Sequence, residues 1–280
     1  MSEWINFNGK ILPGREPIAG ASNRGLRYGD GLFETIRMEK GEMPLYDLHM
    51  QRLFRGLALL GFELPALFSS EHLKEEILRL VKKNKVENAA RVRINVFRGN
   101  GGLFDPEDLR PNYVIEADLL AENYFRINEN GLTVDVYSKA IKSCDSFSNI
   151  KSNNYLSYAM AALWAKQEKL NDALLMNQYG RICDSSIANV FWLKDGIVYT
   201  PPLSEGPVAG VMRRFILESI KEFPVKESVL TTEMLEEAEE IFLSNAAYGI
   251  RWIKQFRNTQ YTCSVSKEIY KQLFRTIGGR

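Results

Sequence analysis

The chain has 280 residues, 45% of them hydrophobic, and its 36 basic and 35 acidic side chains leave a net charge of +1. That supplies enough apolar material for one large domain or two medium ones. The near-balance of charge argues against a global basic field for nucleic acid, and no apolar run approaches the roughly 20 residues that span a bilayer. In chain order, EWINFNGKIL alternates and turns at Asn8-Gly9, a hairpin signal. GLFETIRME followed by GEMPLY predicts strand, turn, strand. Asp47 is a candidate cap for a helix over LHMQRLFRGLALL that stops at Gly61. Ser70 is a candidate cap for EHLKEEILRLVKK, with Leu73, Ile77, Leu80 and Val81 on one face. ARVRINVF places Val92, Ile94 and Val96 on one face of a strand and Arg91, Arg93 and Asn95 on the other.

RGNGGLFDPEDLRP is a Gly- and Pro-rich loop, NYVIEADLL a strand, and the polar stretch from Glu122 to Asn130 reads as a crossover between two lobes. The strand LTVDVYS comes next, then the junction NIKSNNYL, which opens a helix with Tyr155, Ala159, Leu163 and Trp164 near one stripe. Strands ALLMN and NVFWLKDGIVYT, the helix GVMRRFILESIKEF, the helical TEMLEEAEE and the strand IFLSN follow. Strands and helices interleave irregularly, which predicts a mixed α/β chain in two lobes rather than a regular parallel barrel. Cys144, Cys183 and Cys263 are odd in number and far apart, the usage expected of a reduced, cytoplasmic setting. The opening stretch MSEWINFNGK lacks the basic and apolar regions of a signal peptide, which fits that expectation.

Several positions carry candidate chemistry. His49 and His72 are the chain's two histidines and C-x-x-C is absent, so no metal is expected; both histidines read as structural or surface residues. G-x-S-x-G is also absent, which leaves a Ser-His-Asp hydrolase unsupported. Lys151 stands at a helix start, where a lysine is either a solvated charge or, if desolvated or beside other cations, a Schiff-base former. PVAGVMRRF puts Gly210 before a helix, so that Val211 and Met212 could offer amides to a phosphate; an ordinary glycine loop is the alternative. Asp184 in CDSSIANVFW could pair with a cationic ring nitrogen or be a turn aspartate. Arg52, one helical turn from His49, would bind phosphate if it points inward. Arg91 and Arg93 either line a carboxylate site or face solvent, and SNAAYG offers Ser244, Asn245 and small alanines at a strand end. Together these are the parts for holding pyridoxal phosphate: an imine lysine, a pyridinium partner, a phosphate cup and an arginine clamp.

The stretches INFNGKILP, LRYGDGLFETIR, LHMQRL, ARVRINVFRG, IKSNNYL, CDSSIANVFW, VYTPPLSEGPVAGVMRRF and LSNAAYG, in that order, resemble the class IV aminotransferases, the fold-type IV pyridoxal-phosphate enzymes. That family includes branched-chain aminotransferases, D-amino acid aminotransferases and aminodeoxychorismate lyases. The resemblance implies a smaller N-terminal α/β lobe over 1–120, a crossover over 121–130, and a larger C-terminal cofactor lobe with a barrel-like sheet over 131–280. It implies pyridoxal 5'-phosphate as cofactor, a small amino substrate and a homodimer. By the same resemblance Lys151 bonds the cofactor and shuttles the proton at Cα, and Arg52 binds its phosphate. Gly210, Val211 and Met212 form the phosphate cup, with Asn245 and Ala246 as a second phosphate loop. Tyr155 and Asn189 lie close to the cofactor, Asp184 pairs its ring nitrogen, and Tyr28, Phe33, Glu34 and Arg93 shape the substrate side, with Arg91 suited to a second carboxylate. Two departures stand out: the family has glutamate where this chain has Asp184, and NGGLFDPED after Arg98-Gly99 lacks the Arg-x-His pair of D-specific members. NVFW, VYTP and GVMRRF, with ARVRINVFRGNGG, look most like the lyase branch, ahead of an amino-acid aminotransferase using 2-oxoglutarate; a protein that only binds a ligand is the remote alternative.

Overall fold

A computed structural model describes residues 2–120 and 125–277. Contacts divide the chain into two compact units, Met1–Tyr124 with Ile150–Asn154, and Phe125–Asn149 with Tyr155–Arg280. Of the expected crossover over 121–130, residues 121–124 lie outside the described residues.

Unit 1 contains β1 (Trp4–Phe7), β2 (Lys10–Pro13), α1 (Arg24–Tyr28), β3 (Gly31–Glu39), α2 (Tyr46–Leu59), α3 (Ser70–Lys83), β4 (Ala89–Arg98) and β5 (Pro111–Leu119). Its strands form an antiparallel sheet in the order β2-β1-β5-β4-β3. The β1–β2 turn holds Asn8 at φ 50° and Gly9 at φ 84°, the left-handed pair that matches strand twist in a tight hairpin. Alternation gives the sheet two unlike faces. Leu32, Ile36, Met38, Val92, Ile94 and Val96 pack with Met50, Leu53 and Leu57 of α2 and Leu73, Ile77 and Leu80 of α3. The other face carries Phe33, Arg37, Arg91, Arg93 and Asn95, set across β3 and β4 by the register Phe33↔Asn95, Thr35↔Arg93, Arg37↔Arg91.

Three local expectations shift. GEMPLY is not a strand; a single bridge joins Glu39 to Glu42, and Tyr46 already begins α2. Leu45, at φ 62°, is the N-cap of α2 and makes no side-chain cap bond, while Asp47 lies in the first turn, where its charge suits the positive end of the helix. Ser69, not Ser70, caps α3, its hydroxyl accepting from His72 N at 3.1 Å.

The strand β3 is an edge strand, and the Lys151 segment covers it. Phe33 N donates to Lys151 O at 2.9 Å, Leu32 bridges Ser152, and Asn153 N donates to Gly31 O at 2.9 Å. These bonds satisfy an edge that would otherwise be unpaired. They also draw Ile150–Asn154 into unit 1, an exception to the expected single lobe over 131–280.

Unit 2 contains β6 (Leu132–Lys142), α4 (Leu156–Gln167), β7 (Asp172–Asn177), β8 (Ile182–Ser185), β9 (Asn189–Lys194), β10 (Ile197–Thr200), α5 (Val211–Ser219), β11 (Val225–Glu227), α6 (Thr232–Glu236), β12 (Glu240–Asn245), β13 (Gly249–Phe256), β14 (Thr259–Gln260) and α7 (Ser264–Ile277). Its nine-stranded sheet runs β11-β10-β9-β12-β13-β6-β7-β8, with β14 on β13, and curls as a half-barrel. The pairs β10–β11, β6–β13 and β6–β7 are parallel, so the sheet is mixed. The expected stripe on α4 holds in part: Tyr155 and Trp164 pack on the buried Tyr158, Ala161 and Ala165, whereas Ala159 and Leu163 are exposed. This helix is apolar nearly all round, so period alone could not choose its inward face.

Candidate active site

In unit 1, three expected residues meet at one ring. Lys151 Nζ lies 4.5 Å from the centroid of Phe33, and the Arg93 guanidinium lies 4.0 Å from the same centroid. Both cations use the negative face of the aromatic quadrupole. The polar residues after Lys151 fix it there: Asn153 Nδ2 donates to Asn95 Oδ1 at 2.8 Å, and Asn154 fills the space that a side chain on Gly29 would need. Tyr28, at the end of α1, lies beneath the Arg24 guanidinium, its ring centroid 5.2 Å away. Arg91 is half exposed and faces Asp118 across 3.6 Å, a surface ion pair away from the Phe33 ring.

Glu34, expected to shape the substrate side, is on the opposite face of β3 from Phe33, the face that meets α2. Arg52 grips both its oxygens, Nε to Oε1 at 2.8 Å and Nη2 to Oε2 at 2.6 Å. His49 Nδ1 lies 2.7 Å from Oε2. The i, i+3 spacing of His49 and Arg52 on α2 brings both to one carboxylate. Burial by itself would raise the Glu34 carboxyl, but Arg52 and His49 together bring it from 4.5 down to about 2. Burial holds the imidazole of His49 below 6.5 despite the Glu34 contact, so Nδ1 carries the proton that Glu34 accepts. His49 Nε2 is then a buried acceptor with no hydrogen-bond partner among the described residues. Glu34 thus sets the direction of the Arg52 guanidinium.

In unit 2 the centre is Asp184, on β8 and buried. Its Oδ2 accepts from Lys142 Nζ at 3.1 Å, Tyr158 OH at 2.8 Å and Val208 N at 2.8 Å. Its Oδ1 accepts from Asn189 Nδ2 at 2.9 Å, and the same amide nitrogen donates to Val208 O at 2.8 Å. Lys142 also donates to Tyr158 OH. Burial, and then the charge of Asp184, pushes the Tyr158 phenol well above its ordinary range, so it stays protonated as a donor. Tyr155 stacks on Tyr158, centroids 4.2 Å apart. Gly210 is the N-cap of α5; a Cβ there would fall inside van der Waals contact of Asn189 Oδ1. No side chain caps α5, which leaves the amides of its first turn, Val211 and Met212 among them, to a ligand.

Asn245 spends its side chain on its own turn. Its Oδ1 accepts from Ala247 N and Tyr248 N, both at 3.0 Å, and its Nδ2 donates to Ile187 O at 3.2 Å. It therefore shapes its own turn, in which Ala246 lies. Ser244 pairs with Asn189 across β12 and β9, and its buried Oγ has no hydrogen-bond partner among the described residues. An orphaned hydroxyl and an uncapped helix start in one region fit an anionic group such as a phosphate. No cluster of metal-ligating side chains occurs among the described residues.

The sequence profile of amino-transferase class IV matches residues 31–256. The chain belongs to the class IV aminotransferases. Curated relatives include an aminodeoxychorismate lyase of Bacillus subtilis, 29% identical over 255 residues, covering 88% of this chain and 84% of that one. A putative branched-chain-amino-acid aminotransferase of Methanocaldococcus jannaschii is also 29% identical, over 257 residues, with coverages of 88% and 85%. The solved branched-chain amino acid aminotransferase from Escherichia coli superposes with a TM-score of 0.88 at 25% identity, over 100% of this chain and 96% of that one. Class IV aminotransferases are pyridoxal-phosphate enzymes. In this class IV chain the departure at Asp184 is accompanied by a feature missed in the sequence: Lys142 and Tyr158 share its carboxylate. Lys142 ends an irregular stretch of β6, where the register with β7 shifts between Tyr137 and Ile141. No motif marks it, and only the ladder to β7 brings it opposite β8.

Proposed function

We propose that the chain binds pyridoxal 5'-phosphate and acts at Cα of a small amino substrate, with Lys151 as the bonding lysine. The observation that carries this is the amine of Lys151, held by the β3 edge over Phe33 beside a second cation, Arg93. Such an environment suits a nucleophilic amine. Bound pyridoxal phosphate supplies an aldehyde for amines and a ring that takes up the electron pair left when Cα loses a proton. Lys151 takes that proton from Cα and returns it. Asp184 favours a proton on the ring nitrogen. Within unit 1, Arg52, oriented by Glu34, is the arginine for a phosphate; within unit 2, the uncapped start of α5 offers the amides of Val211 and Met212 to an anion, and Gly210 leaves room for Asn189 beside it. Arg93, on the same face as Lys151, attracts a substrate carboxylate.

For the reaction, the reading is aminodeoxychorismate lyase, releasing pyruvate and leaving 4-aminobenzoate. The Bacillus subtilis relative and the lyase-like stretches NVFW, VYTP and GVMRRF support it. A second reading, an amino-acid aminotransferase, is supported by the Methanocaldococcus jannaschii relative at the same identity. Parallel assays with aminodeoxychorismate and with L- and D-amino acids plus 2-oxoglutarate decide by product. Borohydride reduction and peptide mapping test the cofactor: a pyridoxyl group on Lys151 is expected, and its absence from that residue ends the proposal. The reading includes a homodimer. The α4 stripe of Leu156, Met160 and Leu163, exposed at 74%, 42% and 53%, is apolar surface that a second copy would cover.

A further inference from the structure

Asp184 presents two unlike oxygens. Among the described residues, Oδ2 accepts three hydrogen bonds, from Lys142, Tyr158 and Val208 N, whereas Oδ1 accepts one, from Asn189. A carboxylate oxygen with one donor has capacity for another. The cation beside it is itself buried, and its Nζ lies 4.8 Å from the centroid of the Tyr158 ring. A buried ammonium 3.1 Å from a carboxylate offsets most of that carboxylate's field at any third group nearby. We propose that Lys142 is a positioning residue for Asp184: with Tyr158 it clamps Oδ2, turns Oδ1 toward the cofactor's ring nitrogen, and weakens the negative charge that nitrogen meets. This rests on the proposed reading of Asp184 as the ring-nitrogen partner.

The consequence is a specific electronic setting. A carboxylate alone holds a proton firmly on a pyridine nitrogen; a carboxylate already paired with an ammonium holds it less firmly. The ring nitrogen of this enzyme therefore releases its proton at a lower pH than it would beside an unpaired aspartate. The titratable groups around the pair are Tyr158 from α4, Tyr155 at its start, Cys183 from β8 and Cys144 after β6. Burial pushes the Tyr158 phenol and both thiols upward, so these three keep their protons through the neutral range.

The test uses this chain loaded with pyridoxal phosphate labelled with nitrogen-15 in the ring, and follows the nitrogen resonance from about pH 5 to about pH 10. Wild type is expected to show a deprotonation midpoint inside that range. Lys142→Gln, which keeps a donor and removes the charge, should move the midpoint up by about one unit or more. Lys142→Arg should restore it toward wild type. Lys142→Met serves if the glutamine variant fails to fold, and melting of each apo-protein checks the fold. A merely structural lysine would change melting and leave the midpoint in place; coincident midpoints in wild type and the neutral variants overturn the inference. A wild-type nitrogen still protonated at the top of the range overturns it without any variant. Failure of the wild type to take up the cofactor is a different outcome: it removes the reading of the site, and this inference with it.

Discussion

At the scale of residues, Glu34 shows how a buried charge is kept. It is held by Arg52 and His49, and both Glu34 and His49 bind protons less tightly in the folded chain than in the unfolded one. Their contribution to stability is therefore complete above about pH 6.5 and is lost as pH falls, first through His49 and then, between 4.5 and about 2, through Glu34. Melting temperature measured against pH should fall in that order, and His49→Gln should flatten the upper part of the curve. Glu34→Gln should cost about 3 kcal/mol at pH 7 in urea unfolding, because it removes the buried carboxylate that Arg52 and His49 both meet; an unchanged midpoint would contradict that grip. It should also weaken pyridoxal phosphate binding, since the guanidinium loses its fixed direction. Lys151→Ala should leave melting within about 1 kcal/mol of wild type and remove both turnover and borohydride-trapped cofactor. The arginine one helical turn from His49 and the lysine at its junction were legible as candidates in LHMQRL and IKSNNYL. The role of Glu34 was not: FETIR shows a carboxylate, but only the pairing of a strand face with α2 says which face it is on.

At the scale of elements, two junctions matter. The first is the edge of β3, where Asn153 ties the lysine segment to β4. Asn153→Ala should cost about 1 kcal/mol and speed hydrogen exchange at the Phe33 amide; exchange no faster than wild type would mean that the side chain adds nothing to the edge. The second is the start of α5. Gly210→Ala would press on Asn189, which holds Asp184 Oδ1 and Val208 O together. Cofactor affinity should drop about tenfold or more, which corresponds to about 1.4 kcal/mol, while far-ultraviolet circular dichroism stays the same. Equal affinity in a fluorescence titration would show that the loop yields without cost. The hairpin at Asn8-Gly9 was legible because a left-handed turn needs those residue types; the turn at Asp195-Gly196, which splits the expected strand NVFWLKDGIVYT into β9 and β10, was not read although it has the same residue types. The shift of the α3 cap from Ser70 to Ser69 was not, because two adjacent serines are equivalent in composition and only the chain's entry angle separates them.

At the scale of the whole molecule, the open question is what covers the exposed stripe of α4. Met160→Glu places a charge in its middle. Sedimentation of the wild type should show a dimer at micromolar concentration, and the variant should shift toward monomer; a wild type that stays monomeric while active removes the homodimer. The stripe was only half legible from sequence, Tyr155 and Trp164 packing inward as expected and Ala159 and Leu163 not, for a physical reason. Tyr158, Ala161 and Ala165 turn inward because the Asp184 cluster and β7 are there to meet them, and a helix apolar on every side carries no record of which neighbour it will have.

What the sequence by itself determined are the properties carried by local chemistry: the family, the lysine at its junction, the alternating strands, the glycine ahead of α5 and the shortened carboxylate at Asp184. Each depends on residue type and spacing along a few positions. Tertiary structure alone decided that residues 150–154 complete the edge of β3, that Glu34 serves Arg52, and that Lys142 stands against a carboxylate 42 positions away. Those are pairings between distant segments. They exist only once strands have found their register, and no local pattern encodes the partner a side chain will meet.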